Sequence, residues 1–276
     1  MLTRIITGVI GIAIAALIIQ TGGLAFEIAA FVLAMLAWRE YDRAFSQQGE
    51  HLTSWLGLLG IINLLLSARH EGLGMTAFIT FFVLAICLQT VFFHGKVTFR
   101  GAALSVLGML YIGLPFAHLI MLRNFGQDMP QLVTSLGSFE PGCALVWVMF
   151  IGTWASDSFA YFVGSALGRH KLCPSISPNK TIEGAVGAVV GTTLTIAALG
   201  AFFGWPLPLM AVLGALIAVI ATLGDLVESV AKRETGIKDS GNIIPGHGGV
   251  WDRFDSVLFT APLVYYFTMA YYLLTH

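Results

Sequence analysis

The sequence predicts an all-α, polytopic membrane protein, and three observations lead there. Charged side chains make up only 11% of the 276 residues, against about 25% in a soluble domain. Hydrophobic residues reach 57% and the mean hydropathy is +0.84, so the surface cannot be covered for water alone. The apolar residues also fall in runs of the length a membrane helix needs, about 17–25 residues. A cytosolic enzyme, a secreted disulfide scaffold and a disordered tail are excluded by the same composition. The net charge of -1 gives no basic face for nucleic acid. Cys87, Cys143 and Cys173 are odd in number and widely spaced, which reads as reduced or buried thiols rather than a metal or disulfide framework.

The qualifying runs are 5–21, 23–38, 52–68, 75–93, 101–122, 143–164, 182–203, 206–224 and 256–274, about nine transmembrane helices. The first opens at Arg4 and lacks a small-residue cleavage site, so it reads as a retained helix and not a signal peptide. The run 52–68 is the weakest, being short and carrying Asn63. Only Gly204, Trp205 and Pro206 separate the seventh and eighth runs, which predicts a tight helical hairpin. With the N-terminus cytoplasmic, all of the 14 Lys and Arg except Arg69 and Arg123 fall on the cytoplasmic side. That bias is what the positive-inside rule demands, and losing one span would destroy it. The C-terminus is then expected outside. Residues 1–140 read as N-terminal membrane helices, about five spans. Residues 141–276 read as a catalytic membrane domain of about four, with cytoplasmic loops 165–181 and 225–255.

Chemistry is expected in the second half. Between Asp225 and Asp255 the sequence sets Glu228, Lys232, Arg233, Glu234, Lys238, Asp239, Asp252 and Arg253, in an otherwise charge-poor chain. Asp225 closes the eighth run, with Glu228 one turn on and on the same face. Asp252 and Asp255, spaced i, i+3 before the ninth run, can point the same way. Converging carboxylate oxygens suit Mg²⁺, which takes one or two carboxylates together with substrate phosphates. The plainer alternative is a solvated loop of ion pairs. Gly246-His247-Gly248-Gly249 weighs against it, since glycines permit close backbone approach and anion-binding nests. Upstream, Asp157 lies inside the sixth run, and an intramembrane carboxylate is a functional candidate. Lys180 and Thr181 stand at the entrance of the seventh, where a phosphate could be met. His51, His70, His94 and His118 are isolated and read as structural.

The run Ser229-x2-Lys232-Arg233-x4-Lys238-Asp239-x-Gly241-x2-Ile244-Pro245-x-His247-Gly248-Gly249-Val250-x-Asp252-Arg253-Phe254-Asp255 resembles the C-terminal signature of the phosphatidate cytidylyltransferase, or CDP-diacylglycerol synthase, family. Asp157-Ser158-x-Ala160-Tyr161, Ser177-Pro178-x-Lys180-Thr181 and Gly224-Asp225-Leu226-x-Glu228-Ser229 are also similar to that family. Ala231 stands where the family usually carries a bulkier apolar residue. The likeness covers residues 150–260; residues 1–140 match only in being membrane helices.

The resemblance implies a membrane homodimer that makes CDP-diacylglycerol and pyrophosphate from CTP and phosphatidic acid at the cytoplasmic face, with Mg²⁺ and, in some members, K⁺. It carries the metal carboxylates over to Asp225 and Asp252, with Asp239 and Asp255 as second candidates. Lys232, Arg233, Lys238 and Arg253, with Lys180, are expected to hold the anionic substrates. Thr181, Ser229, Asp157, His247, Gly248 and Gly249 are expected to line the phosphate and nucleotide pocket. A short chain without an N-terminal extension suits a bacterial plasma membrane, which is the expected location, among membrane lipids and without nucleic acid. A secondary transporter would show internal symmetry and mid-membrane acids, whereas here the acids gather at one face. The Asp-Gly-x2-Ala-Arg motif of CDP-alcohol phosphotransferases is absent, and Asp-rich prenyl transferases have no need of the glycine loop.

Overall fold

The computed structural model describes residues 2–70, 72–243 and 248–275, with side chains from Thr7 onward. In chain order the elements are α1 (Leu2–Thr21), α2 (Gly23–Ser46), α3 (Ser54–Ala68), α4 (Met75–Phe92), α5 (Phe99–Arg123), β1 (Leu132–Thr134), β2 (Gly137–Phe139), α6 (Pro141–Leu167), β3 (Lys171–Cys173), β4 (Ser177–Thr181), α7 (Ile182–Phe203), α8 (Leu207–Thr235), α9 (Trp251–Phe254) and α10 (Val257–Thr275). Every expected run is helical. Among the described residues six helical stretches are long and apolar enough to cross a membrane: α4, α5, α6, α7, α8 and the stretch Trp251–Thr275. The chain is thus an all-α integral membrane protein, and the count of nine is finer than these six establish. Helix α3, at 15 residues, is about 22 Å long at 1.5 Å per residue, short of a hydrocarbon core of about 30 Å. Helix α2 is long enough but carries Glu27, Arg39, Glu40, Asp42 and Arg43. Described from Thr7, α1 counts as a shorter apolar helix.

The chain divides into two compact units, Met1–Met121 with Lys232–Phe254, and Leu122–Ala231 with Asp255–His276. In the first, α2 buries a helical stripe of Ala30, Ala34, Ala37, Trp38, Tyr41, Ala44 and Phe45, the 3.6-residue period of an amphipathic helix. Its aromatic end is pinned by polar handles: Trp38 Nε1 donates to Ser54 O at 3.1 Å and the Tyr41 hydroxyl to Leu104 O at 3.1 Å. Trp251, fully buried, packs on Tyr41 and Tyr111. The last turn of α8 also belongs here. Gly236, at φ 65°, takes the left-handed conformation that ends a helix, and Ile237 N closes back on Lys232 O at 3.1 Å, a Schellman-type stop. Residues 225–235, expected to be loop, are therefore helix. Gln48 Nε2 donates to Thr235 O at the end of that helix, 2.6 Å away.

The second unit is built on α6 and α7, which approach closely because small residues face one another, as is usual where lipid gives no hydrophobic drive between helices. A Cβ on Gly184 would stand 2.8 Å from Ala160 O and 3.2 Å from Gly164 Cα; one on Gly187 would stand 2.5 Å from Val163. Polar contacts tie in the other helices: Thr153 to Thr260 at 3.1 Å, and Ser256 Oγ to Ala221 O at 3.1 Å. Two antiparallel hairpins lie outside the helices, β1–β2 and β3–β4. The second shapes the loop expected at 165–181, pairing Lys171 with Thr181 and Cys173 with Ser177. Arg123, 2% exposed, is paired with Glu140 at 2.6 Å.

Replacing Gly187 by Leu should force the α6–α7 seam apart. Overpacking of this kind costs about 1–3 kcal/mol, so the variant's thermal unfolding in detergent should begin several degrees earlier, with Gly187→Ala intermediate. Equal midpoints for both would show that the seam is not tightly packed.

Candidate active site

In the second unit the carboxylates converge. Gly224 lets α8 pass the start of the C-terminal helix so closely that a Cβ there would lie 2.9 Å from Asp255 O and 3.1 Å from Ser256 Cα. That approach sets Asp225, the next residue on α8, beside Asp255. Glu228 follows one helical turn later, and Asp225, Glu228 and Asp255 each offer an oxygen within 4.8 Å of the others. Glu228 is 1% exposed. Asp255 receives the Ser256 N–H at 2.6 Å, and Ser229 Oγ donates to Asp225 Oδ1 at 3.4 Å. Three hard oxygen donors at this spacing fit one divalent cation, whose ligand oxygens stand about 3–4 Å apart. A cation already answers one of them: Lys180 Nζ lies 2.7 Å from Asp225 Oδ2 and also reaches Thr222 O at 3.4 Å.

Lys180 and Asp225 stand in the wall of a cavity of about 490 Å³, lined further by Asp157, Tyr161, Leu172, Asn179, Thr181, Ala185 and Thr222. Polar and charged groups share it with the apolar faces of Tyr161, Leu172 and Ala185, so the lining suits an amphiphilic occupant. Strand β4 positions Lys180, and Thr181 then caps α7 by accepting the Gly184 N–H at 3.1 Å, the standard use of a threonine at this position. One turn away Glu183 holds His170 at 2.6 Å. Expected residues Asp157, Lys180, Thr181 and Asp225 are thus brought together around one cavity.

Ser229 and Asp255 belong to the same unit, and the first unit holds the other expected residues. Asp252 on α9 accepts from Lys232 Nζ at 3.1 Å, from Ser240 N at 2.9 Å and from Gly249 N at 2.8 Å. The Gly249 N–H is therefore engaged by Asp252. Gly248 has φ 88°, a conformation glycine adopts without strain. Arg233, Lys238, Asp239 and Arg253 are exposed, and His247 lies outside the described residues. Asp252 and Asp255 do not share a helical face in the way their spacing suggested, because α9 stops at Phe254 and Asp255 lies in the turn before α10. Sequence reasoning missed two residues. Glu228 was read as a face-mate of Asp225 and not as a metal donor. Glu40, 4% exposed, accepts from Ser240 Oγ at 3.0 Å, Val250 N at 3.0 Å and Trp251 N at 2.8 Å. The available signal was a charge set among the buried positions of α2, between Ala37 and Ala44.

The model of the cytidylyltransferase family matches residues 2–271. Among similar proteins, the phosphatidate cytidylyltransferase of Bacillus subtilis is 35% identical over 270 residues, covering 95% of this chain and 96% of that protein. The phosphatidate cytidylyltransferase of Synechocystis is 38% identical over 282 residues, covering 96% of each. That of Staphylococcus aureus is 32% identical over 273 residues, 96% of this chain and 97% of the relative.

If the carboxylate cluster is a cation site, titration with Mn²⁺ followed by electron paramagnetic resonance should show binding that weakens at least about tenfold in Asp225→Asn and again in Asp255→Asn, since each loses a charged ligand. Undiminished binding in both variants would place the ion elsewhere.

Proposed function

The chain belongs to the cytidylyltransferase family, and from that premise we propose that it transfers the cytidylyl group of CTP to phosphatidic acid, releasing pyrophosphate and forming CDP-diacylglycerol. The observation that carries the reading is the cluster Asp225, Glu228 and Asp255 with Lys180 at the wall of an amphiphilic cavity. In the reaction an oxygen of the lipid phosphate bonds to the α-phosphorus of CTP, the α–β bridging bond breaks, and pyrophosphate leaves with that electron pair. A phosphomonoester has its second pKa at about 6, so the nucleophile is largely ionised at neutral pH and no general base is required. This agrees with a site rich in cations and carboxylates, in which the described residues form no paired Ser/His or Cys/His arrangement. Catalysis then rests on positioning and charge neutralisation.

Asp225, Glu228 and Asp255 would hold Mg²⁺. When bound, that ion neutralises the triphosphate and the developing pyrophosphate charge. Lys180 binds phosphate oxygens beside it. Lys232, Arg233, Lys238 and Arg253 hold and orient the two anionic substrates, with Asp252 orienting Lys232 through their 3.1 Å contact. Asp252 and Asp239, marked as metal ligands by the resemblance, remain candidates alongside the cluster, with K⁺ as the second cation some members use. Asp157, Thr181 and Ser229 line the nucleotide side, and His247 with Gly248 and Gly249 shapes the phosphate pocket. Residues 141–276 supply the larger part of the catalytic domain. The further reading is of nine spans with the N-terminus and the active face cytoplasmic, in a bacterial plasma membrane. It is supported by the distribution of Lys and Arg and by the bacterial relatives. A homodimer is the assembly that the resemblance implies.

Purified protein in detergent, given radiolabelled CTP, phosphatidic acid and Mg²⁺, should form a labelled liponucleotide. EDTA should abolish it, and Asp225→Asn should lower turnover by about a hundredfold or more, in the range of lost electrostatic stabilisation. A folded wild-type protein that makes no product under varied lipid and detergent conditions would overturn the assignment. Full activity in Asp225→Asn would move the metal to Asp252 or Asp239.

A further inference from the structure

We propose that Glu40 is a positioning residue for the cytidylyl transfer: its carboxylate holds Ser240, Val250 and Trp251 in the conformation in which Lys232 and Asp252 meet CTP. The inference rests on the function proposed above and adds to it a residue from the N-terminal half of the chain, outside every motif that marks the family here. Every group in the argument lies within one compact unit.

A carboxylate this deeply buried is costly unless its oxygens are met by donors. The donors for Glu40 come from the two ends of a single loop. Ser240 Oγ and Trp251 N reach Oε2, and Val250 N reaches Oε1. The two ends are also joined through Asp252 Oδ2, which takes the backbone N–H of Ser240 and of Gly249. Ser240 therefore bridges the two carboxylates, its hydroxyl on Glu40 and its amide on Asp252. Asp252 in turn is fixed against Lys232. Moving Glu40 would loosen Ser240 and Trp251 together, and with them the donors that aim Asp252.

The glycines of the signature acquire a reason in the same contact. A Cβ on Gly241 would stand 2.5 Å from Glu40 Oε1, and one on Gly249 would stand 2.5 Å from Glu40 Oε2. No side chain fits at either position while the carboxylate is in place. Gly241 and Gly249 lack the side chains that would collide with Glu40, and so make room for that residue. Helix α2 is itself well anchored, with Tyr41 packed on Trp251 at 5.4 Å and Gln48 bonded to Thr235 O, so Glu40 acts from a rigid support.

Glu40→Gln keeps the shape but turns one acceptor oxygen into an NH₂ group, which faces a backbone N–H or the Ser240 hydroxyl. Three measurements on the full-length protein in detergent decide the matter: KM for CTP, KM for phosphatidic acid, and hydrogen–deuterium exchange of peptides across 238–252. Glu40→Gln is expected to raise KM for CTP about tenfold, the scale of a lost hydrogen bond to a charged group. KM for phosphatidic acid should change little, and exchange should rise at Val250 and Trp251. Ser240→Ala should give a smaller shift in the same direction, and the double variant should fall short of the product of the two effects. Glu50→Gln, which breaks only the exposed pair with Arg100, should match wild type. A fall in turnover that tracks the folded fraction, with both KM values unchanged, would make Glu40 merely structural and overturn the proposal. So would unaltered exchange across 238–252. An inactive wild type would instead overturn the assigned reaction, while an active wild type with an indifferent Glu40→Gln overturns the role of Glu40 alone.

Discussion

Burying a carboxylate in a chain this apolar is costly unless donors or cations answer it, and much of the polar architecture follows from that cost. Glu40 is answered by two backbone N–H groups and a hydroxyl, Asp252 by a lysine and two backbone N–H groups, Asp225 by a lysine and a serine. For Glu40 and Asp252 these partners come from loop and helix ends, so satisfying those acids also fixes the irregular backbone around them. Ser240 and the stretch Gly249–Trp251 are tied together because two acids divide their donors: Glu40 takes the Ser240 hydroxyl and the Val250 and Trp251 amides, and Asp252 takes the Ser240 and Gly249 amides. Polar satisfaction thus adds to the apolar packing of Val250 and Trp251, which are themselves buried.

Close backbone approach is the second constraint, and it acts through glycine. Gly164 and Gly184 bring α6 against α7, which places strand β4 and its Lys180 at the cavity wall. Gly224 brings α8 against the turn at Asp255 and Ser256, which lets Asp225 and Asp255 share a site. In both cases the chemistry-bearing residue is the neighbour of the glycine or a few residues from it. Helix packing and site assembly are thus one event, and a larger residue in either seam would shift an acid or a lysine as well as a helix.

The parts of this arrangement that were legible in the sequence are those with a local signal. Apolar runs gave the helices, since a bilayer demands length and hydrophobicity of each span alone. The i, i+3 spacing of Asp225 and Glu228 gave a shared face, because α8 continues unbroken past both. The same spacing misled at Asp252 and Asp255, where α9 ends between them and the helical phase is lost. The hairpins β1–β2 and β3–β4 have strands of three to five residues, too short for an alternating pattern to register. Glu40 was only half legible. Its place on the apolar stripe of α2, between Ala37 and Ala44, signals burial, but its partner Ser240 is 200 residues away and no local pattern names it.

The pairing of Lys180 with Asp225 bears on how the proposed reaction begins. In the protein alone, this lysine and this carboxylate neutralise each other at 2.7 Å. A nucleoside triphosphate arriving with a divalent cation brings a better partner for each: oxygen-seeking metal for the carboxylate, phosphate oxygens for the ammonium. Exchanging one ion pair for two leaves neither group bare in a partly buried wall, where an unmatched charge is expensive. Lys180 is also held by the Thr222 carbonyl, which lets it turn from carboxylate to phosphate without losing its anchor. On the proposed reading, then, Lys180 and Asp225 are matched before substrate arrives, and substrate binding requires a swap of partners for both.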